Sequence, residues 1–112
     1  MSAPSALVFF GLRFEVASDQ ESESIERRTD DRIVRARAAH LDHYYGTFQV
    51  DDRTRSLLFI GKKLASVGLE MGAPRELSQS ELKDVVKETA RRLSAAGWET
   101  PPRLFVEFEP DF

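Results

Sequence analysis

The chain has 112 residues, 41% hydrophobic and 31% charged, with 6 Gly and 5 Pro, which is enough apolar material for one sizeable core and too few breakers for a disordered or collagen-like chain. Sixteen Lys and Arg against 19 Asp and Glu leave a formal net charge of -3, so no global positive field is available to coat polyphosphate non-specifically. The absence of cysteine excludes disulfides, thiolate nucleophiles, iron–sulfur clusters and Cys-ligated zinc together.

The first element is a strand over residues 6–16, where Val8, Phe10, Leu12, Phe14 and Val16 recur at period two. Its other face carries Leu7, Phe9, Arg13 and Glu15, which predicts a sheet surface covered only in part. The longest apolar run, residues 6–11, is too short to span a bilayer and lacks a basic flank. Neither a signal peptide nor a transmembrane helix is expected, and the reading is one cytoplasmic domain over 1–112 with 1–5 and 18–24 flexible. A thin amphipathic helix follows over 24–41, with Ile25, Thr29, Ile33, Ala36 and His40 on one stripe and Arg27, Asp31 and Arg35 pairing on a solvated face.

Residues 44–50 alternate again, with Tyr44, Phe48 and Val50 opposite His43, Tyr45, Thr47 and Gln49. Turn chemistry at 51–54 joins them to a strand over 56–65, in which Leu57 to Ile60 are apolar on both faces and therefore interior to the sheet. Residues 67–75 form a long connection. Ser78 and Glu81 then make a capping box, flanked by Leu77 and Leu82 as a hydrophobic staple. The helix they open runs over 78–96, burying Leu82, Val85, Val86, Thr89, Leu93 and Ala96. Gly97 takes the left-handed terminal position, Trp98 folds back on Leu93, and Pro101 and Pro102 prevent any return to helix. The last strand spans 103–109.

Strand, helix, strand, strand, helix, strand predicts an α+β, ferredoxin-like βαββαβ fold: a four-stranded antiparallel sheet of order 4-1-3-2 with two helices on one face. With Val8, Phe10, Leu12, Phe14, Tyr44, Phe48, Val50, Leu104, Val106 and Phe108 turned to the helices, the open face carries Phe9, Tyr45 and Phe105, with Leu57 or Phe59. Such an aromatic face exceeds ordinary scattered surface apolarity and calls for a partner. The expected contact residues are Phe9, Arg13, Tyr45, Phe59, Phe105, Glu107 and Glu109.

RNA-binding sheets of this strand order stack bases on aromatics of the first and third strands, crudely where Phe9 and Phe59 stand. Residues 56–64 lack the basic start and interleaved aromatics of that mode, and Glu15, Glu107 and Glu109 would repel phosphate. Nucleic acid is therefore disfavoured. His40, Asp42 and His43 are the only cluster with metal-ligand chemistry, and without a fourth ligand in reach no metal is expected. Glu107 and Glu109, beside Glu15, could hold a divalent ion or raise one carboxyl pKa, but Arg13 and Arg103 more simply neutralise them. No Ser/His/Asp set, phosphate loop or HExxH motif is present.

The sequence thus points to a non-catalytic, cofactor-free protein-binding domain: a homodimer, and a small acidic inhibitor or regulator of the bacterial or phage anti-defence or immunity-like kind. Acidic residues Asp19, Glu21, Glu23, Glu107, Glu109 and Asp111 suggest a partner with a basic surface. The alternatives are a small dimeric enzyme with a pocket between sheet and helices near His40, Tyr44 and Trp98 and, second, single-stranded RNA binding on the sheet.

Overall fold

The computed structural model describes residues 5–68 and 76–110, so the expected flexibility of 1–4 and the stretch 69–75 of the predicted connection lie outside the described residues. The described elements are β1 (Ser5–Glu15), α1 (Asp19–Glu26), α2 (Asp31–Ala38), β2 (Asp42–Val50), β3 (Arg53–Gly68), α3 (Gln79–Ala95) and β4 (Arg103–Glu109). The fold is α+β and its strand pairs are all antiparallel. The open sheet of order 4-1-3-2 is corrected to a closed barrel, β1-β3-β2-β4. In it β4 pairs with β1 from Arg103↔Gly11 to Glu109↔Ser5, and closes the ring on β2 at one residue pair, Gln49↔Phe108.

Closure requires a sharply coiled sheet, and β1 and β3 supply the coil. Gly11 faces Gly61 in register, and a Cβ on Gly11 would lie 2.1 Å from the Ile60 carbonyl oxygen, one on Gly61 2.2 Å from that of Phe10. Only two residues without side chains let the backbones cross so closely. A register shift between Val8 and Phe9 adds a local bend. At the other end of β3 the turn is tighter than the four residues expected. Asp51 and Asp52, at φ 48° and 62°, form a two-residue turn with positive φ at both positions, and the strands pair from Val50↔Arg53 onward.

The single helix expected over 24–41 is two short helices, and the segment 18–24 expected to be flexible is helical for most of its length. Ser18 caps α1 by accepting from the Glu21 N–H at 3.1 Å, and the Glu21 carboxylate reaches back to the Ala17 N–H at 3.2 Å. Asp30 interrupts the run because it serves as the N-cap of α2, accepting from the Arg32 N–H at 2.9 Å. All three described helices end with a 6→1 hydrogen bond, from Thr29 to Ser24, Leu41 to Ala36 and Trp98 to Leu93. The left-handed residue is Gly97 only in α3; in the other two it is Arg28 and His40. The capping box of Ser78 and Glu81 opens α3 as the sequence predicts. Its buried residues are Thr89 and Leu93, whereas Leu82, expected in the stripe, is exposed.

The core has two layers. Leu12, Val16, Ile25, Ile33, Ala36, Leu41, Leu58, Ile60 and Leu93 fill the space between helices and barrel, with Phe14, Tyr45 and Trp98 against them. Leu7, Phe9, Phe48, Leu57 and Phe59 fill the barrel, with Tyr44, Val50 and Phe105 alongside. No helix among the described residues is long and apolar enough to cross a membrane.

Candidate functional site

Barrel closure changes which side chains face solvent. Phe9 and Phe59, expected on an open sheet face, are fully enclosed, with ring centroids 5.4 Å apart, and Phe59 also packs on Phe48 at 5.2 Å and Phe105 at 5.7 Å. Phe105 is half-buried in the same interior. Tyr45 turns to the helix layer, where its hydroxyl lies 2.8 Å from that of Ser22. Its neighbour Tyr44, expected under the helices, points into the barrel with Phe48 and Val50. The face assignment is thus corrected in β2, while in β4 the parity holds and only the expected helix cover is missing, and no stacking platform for bases remains at Phe9 and Phe59.

The exposed apolar face is the one that the sequence reading placed under the helices. Leu104, Val106 and Phe108 project outward from β4 and are 57%, 66% and 46% exposed. Val106 pairs with Val8 and Phe108 with Ala6, so the face continues onto the start of β1 with no charged side chain between them. The helices lie principally over β1, β2 and β3. The signal for these three residues was present in the sequence: β4 is apolar on both faces at Leu104, Phe105 and Val106, and it follows the last helix of the chain.

The charged residues expected at the contact surface are held apart by separate partners. Glu107 makes an ion pair with Arg13, whose guanidinium lies 5.2 Å over the Phe105 ring. Arg13 therefore neutralises Glu107 as the charge pattern suggests. Glu109 accepts from the Tyr44 hydroxyl at 2.7 Å; burial, then this carboxylate, push the Tyr44 phenol up to about 12. Glu15 pairs with Arg55 at 3.0 Å, so the three carboxylates do not combine into one site.

The histidines and Asp42 are likewise engaged elsewhere. His40, expected on a buried stripe, is exposed because it takes the left-handed position after α2. Asp42 accepts from the Lys63 N–H at 3.1 Å and faces the Lys62 ammonium at 3.7 Å. His43, half-buried in β2, has its pKa lowered, first by burial and then by Arg28 and Arg37. Among the described residues no group of three or more His, Asp or Glu could hold a metal ion.

Two concavities matter for function. A groove of about 490 Å³ between α2 and α3 is lined by Arg35, His40, Arg91 and Arg92, but its arginines already have partners. Arg35 donates to the Ala96 carbonyl at 2.8 Å, at the end of α3, and Arg92 donates to the His40 carbonyl at 2.8 Å, just beyond α2. Each helix thus caps the other's C-terminus, which favours a structural clasp over an anion site. Trp98 lies under Arg35, 4.2 Å from the guanidinium, whereas Tyr44 is in the barrel, so the pocket expected of an enzyme is not assembled from His40, Tyr44 and Trp98. The second concavity, of about 340 Å³, lies where β1 runs on past the start of β4 and is lined by Arg13, Arg103, Gly11, Thr100 and Phe105 among others. Compared with known protein families, curated proteins and solved structures, the chain matches none.

Proposed function

We propose that the chain is a protein-binding domain without catalytic machinery, an inhibitor or regulator of a larger protein, and that it self-associates through the outer face of β4. One observation carries this reading: Leu104, Val106 and Phe108 stand exposed on one strand face, continuous with Ala6 and Val8 of β1. Two strands wide and seven residues long, the face measures roughly 10 Å by 23 Å. That is a few hundred Å², at the scale of functional patches on monomers and well below the ~800 Å² per partner of a standard interface. A second copy meeting it across a two-fold axis would cover both faces at once, giving a weak dimer in exchange with monomer.

Light scattering over a concentration series tests this directly. The parent should rise from monomer toward dimer mass, and Val106→Asp should stay monomeric with its circular dichroism unchanged, because a carboxylate at the centre of the face leaves the fold intact and puts a buried charge in the contact. A parent that remains monomeric at millimolar concentration, or a Val106→Asp variant that associates as well as the parent, overturns the proposal.

A further inference from the structure

β1 is longer than its partner on one side. Paired with β3 through Glu15↔Leu57, it meets β4 only as far as Gly11↔Arg103. The Val16 N–H donates to the Ser56 carbonyl at 2.9 Å, which identifies the even-numbered residues of this stretch as those bonded to β3. By antiparallel alternation the odd-numbered residues turn their N–H and C=O the other way. Gly11 thus faces β4, while Arg13 and Glu15 present their backbone groups to a lane that β4 does not enter. Pro101 fits this, since continuing β4 into that lane would bring it opposite Arg13, where its missing N–H would be needed. The second concavity described above occupies the near end of the lane, between the β1 edge and Thr100–Pro101, with the Arg13 and Arg103 side chains at it.

We infer that this slot takes the C-terminal tail of a partner protein, added as a short antiparallel strand along the β1 edge with its terminal carboxylate against Arg103. The inference rests on reading the chain as a protein-binding domain, but on a different surface from the β4 face. Three features select this ligand. The unpaired edge recognises an extended backbone and not a compact metabolite. A segment antiparallel to β1 in this lane runs head-on toward Arg103, where β4 begins, so the incoming chain must end there. Arg13 at that end is held by Glu107, which leaves the Arg103 guanidinium as the group that matches a carboxylate through paired N–H donors and repels the α-ammonium that a parallel orientation would bring.

The test uses the full chain, labelled with nitrogen-15, titrated with the acetylated hexapeptide TVTVTV as free acid and as C-terminal amide. The free acid should move the Arg13 and Glu15 amide resonances in a saturable way and slow their hydrogen exchange, with a dissociation constant of about 1 mM or tighter. The amide, and the free acid on Arg103→Gln, should bind roughly tenfold more weakly, the ordinary consequence of losing one charge-assisted pair. A free acid N-methylated at alternate residues should lose binding. Equal binding of acid and amide, an unchanged affinity in Arg103→Gln, or movement confined to arginine side chains with the Arg13 and Glu15 amides unmoved would each overturn the proposal. Val106→Asp, which abolishes self-association in the reading above, should bind the peptide as the parent does. Loss of the dimer and loss of peptide binding are therefore separately visible.

Discussion

Replacing Arg35 by methionine keeps the aliphatic stem packed between α2 and α3 and removes the guanidinium. Two donations to the Ala96 carbonyl, at 2.8 and 3.3 Å, and a cation–π contact with Trp98 at 4.2 Å disappear together. A hydrogen bond from a charged donor contributes about 1.5–3 kcal/mol and an exposed cation–π contact about 0.5–1 kcal/mol. The side chain is 34% exposed and water can reach the freed carbonyl, so the low end applies and the loss should be about 2 kcal/mol. For a chain of this length that lowers Tm by roughly 8 °C. Arg92→Met, which loses the donation to the His40 carbonyl at 2.8 Å, should cost about 1 kcal/mol. Because both arginines secure the same pair of helix ends, the double variant should fall short of the sum by about 0.5 kcal/mol or more. Urea unfolding of the four proteins gives the cycle. A loss under about 0.5 kcal/mol for Arg35→Met refutes the clasp, and so does a Tm of the parent, but not of the variants, that climbs with added phosphate. That second result would make the groove an anion site, since only a ligand of the folded state stabilises in proportion to its concentration.

At the strand crossing, Gly11→Ala drives a Cβ into the Ile60 carbonyl at a φ of 154°; strain and overpacking of about 1–3 kcal/mol each predict a loss of about 4 kcal/mol in urea melts, whereas a near-neutral alanine would refute the close approach. Asp52 holds φ 62° next to a second aspartate, so Asp52→Gly should raise stability by about 1 kcal/mol, read as a higher urea midpoint at unchanged slope. In a Tyr45→Phe background the remaining tyrosine should ionise near 12 by ultraviolet absorbance, two units above its ordinary value of 10. A phenol whose folded pKa is raised favours the fold below pH 10, and that contribution fades as pH climbs from about 10 to about 12. Tyr44→Phe should flatten this part of the stability profile, and an unaltered profile would remove the Glu109 hydrogen bond from the account.

Where a residue's role depends on its immediate neighbours, the sequence was legible. Ser78 and Glu81, Gly97 and the return of Trp98 toward Leu93 are local events, fixed by spacing along the chain. The same spacing recurs at Ser18 and Glu21, and it starts a helix there too; the acidic composition of 18–24 masked it. Asp30 shows the converse, since its neighbour Asp31 fits an i,i+4 pattern on a continuous helix while Asp30 itself is a better N-cap than interior residue. Face assignment failed for a different reason. Tyr44 and Tyr45 are adjacent and equally amphipathic, so parity alone cannot say which ring enters the core. In β4 the parity of Leu104, Val106 and Phe108 against Phe105 holds, and the difference is that the helices leave the outer face of that strand bare.

Tertiary closure resolved that ambiguity, and closure depends on two glycines fifty residues apart. Period-two patterning treats Gly11 and Gly61 as gaps in a strand, yet their pairing is what allows β1 and β3 to coil far enough for β4 to reach β2. Once the ring is closed, the aromatic face becomes an interior and needs no partner. Solvent contact shifts to the outside of the last strand, which the helices largely leave bare, and to the stretch of β1 that outruns it. The second of these surfaces is a consequence of strand lengths: β4 has seven residues against eleven in β1. The four-residue difference leaves the free edge over Leu12–Glu15, and extending β4 to match would remove the slot while leaving the barrel intact.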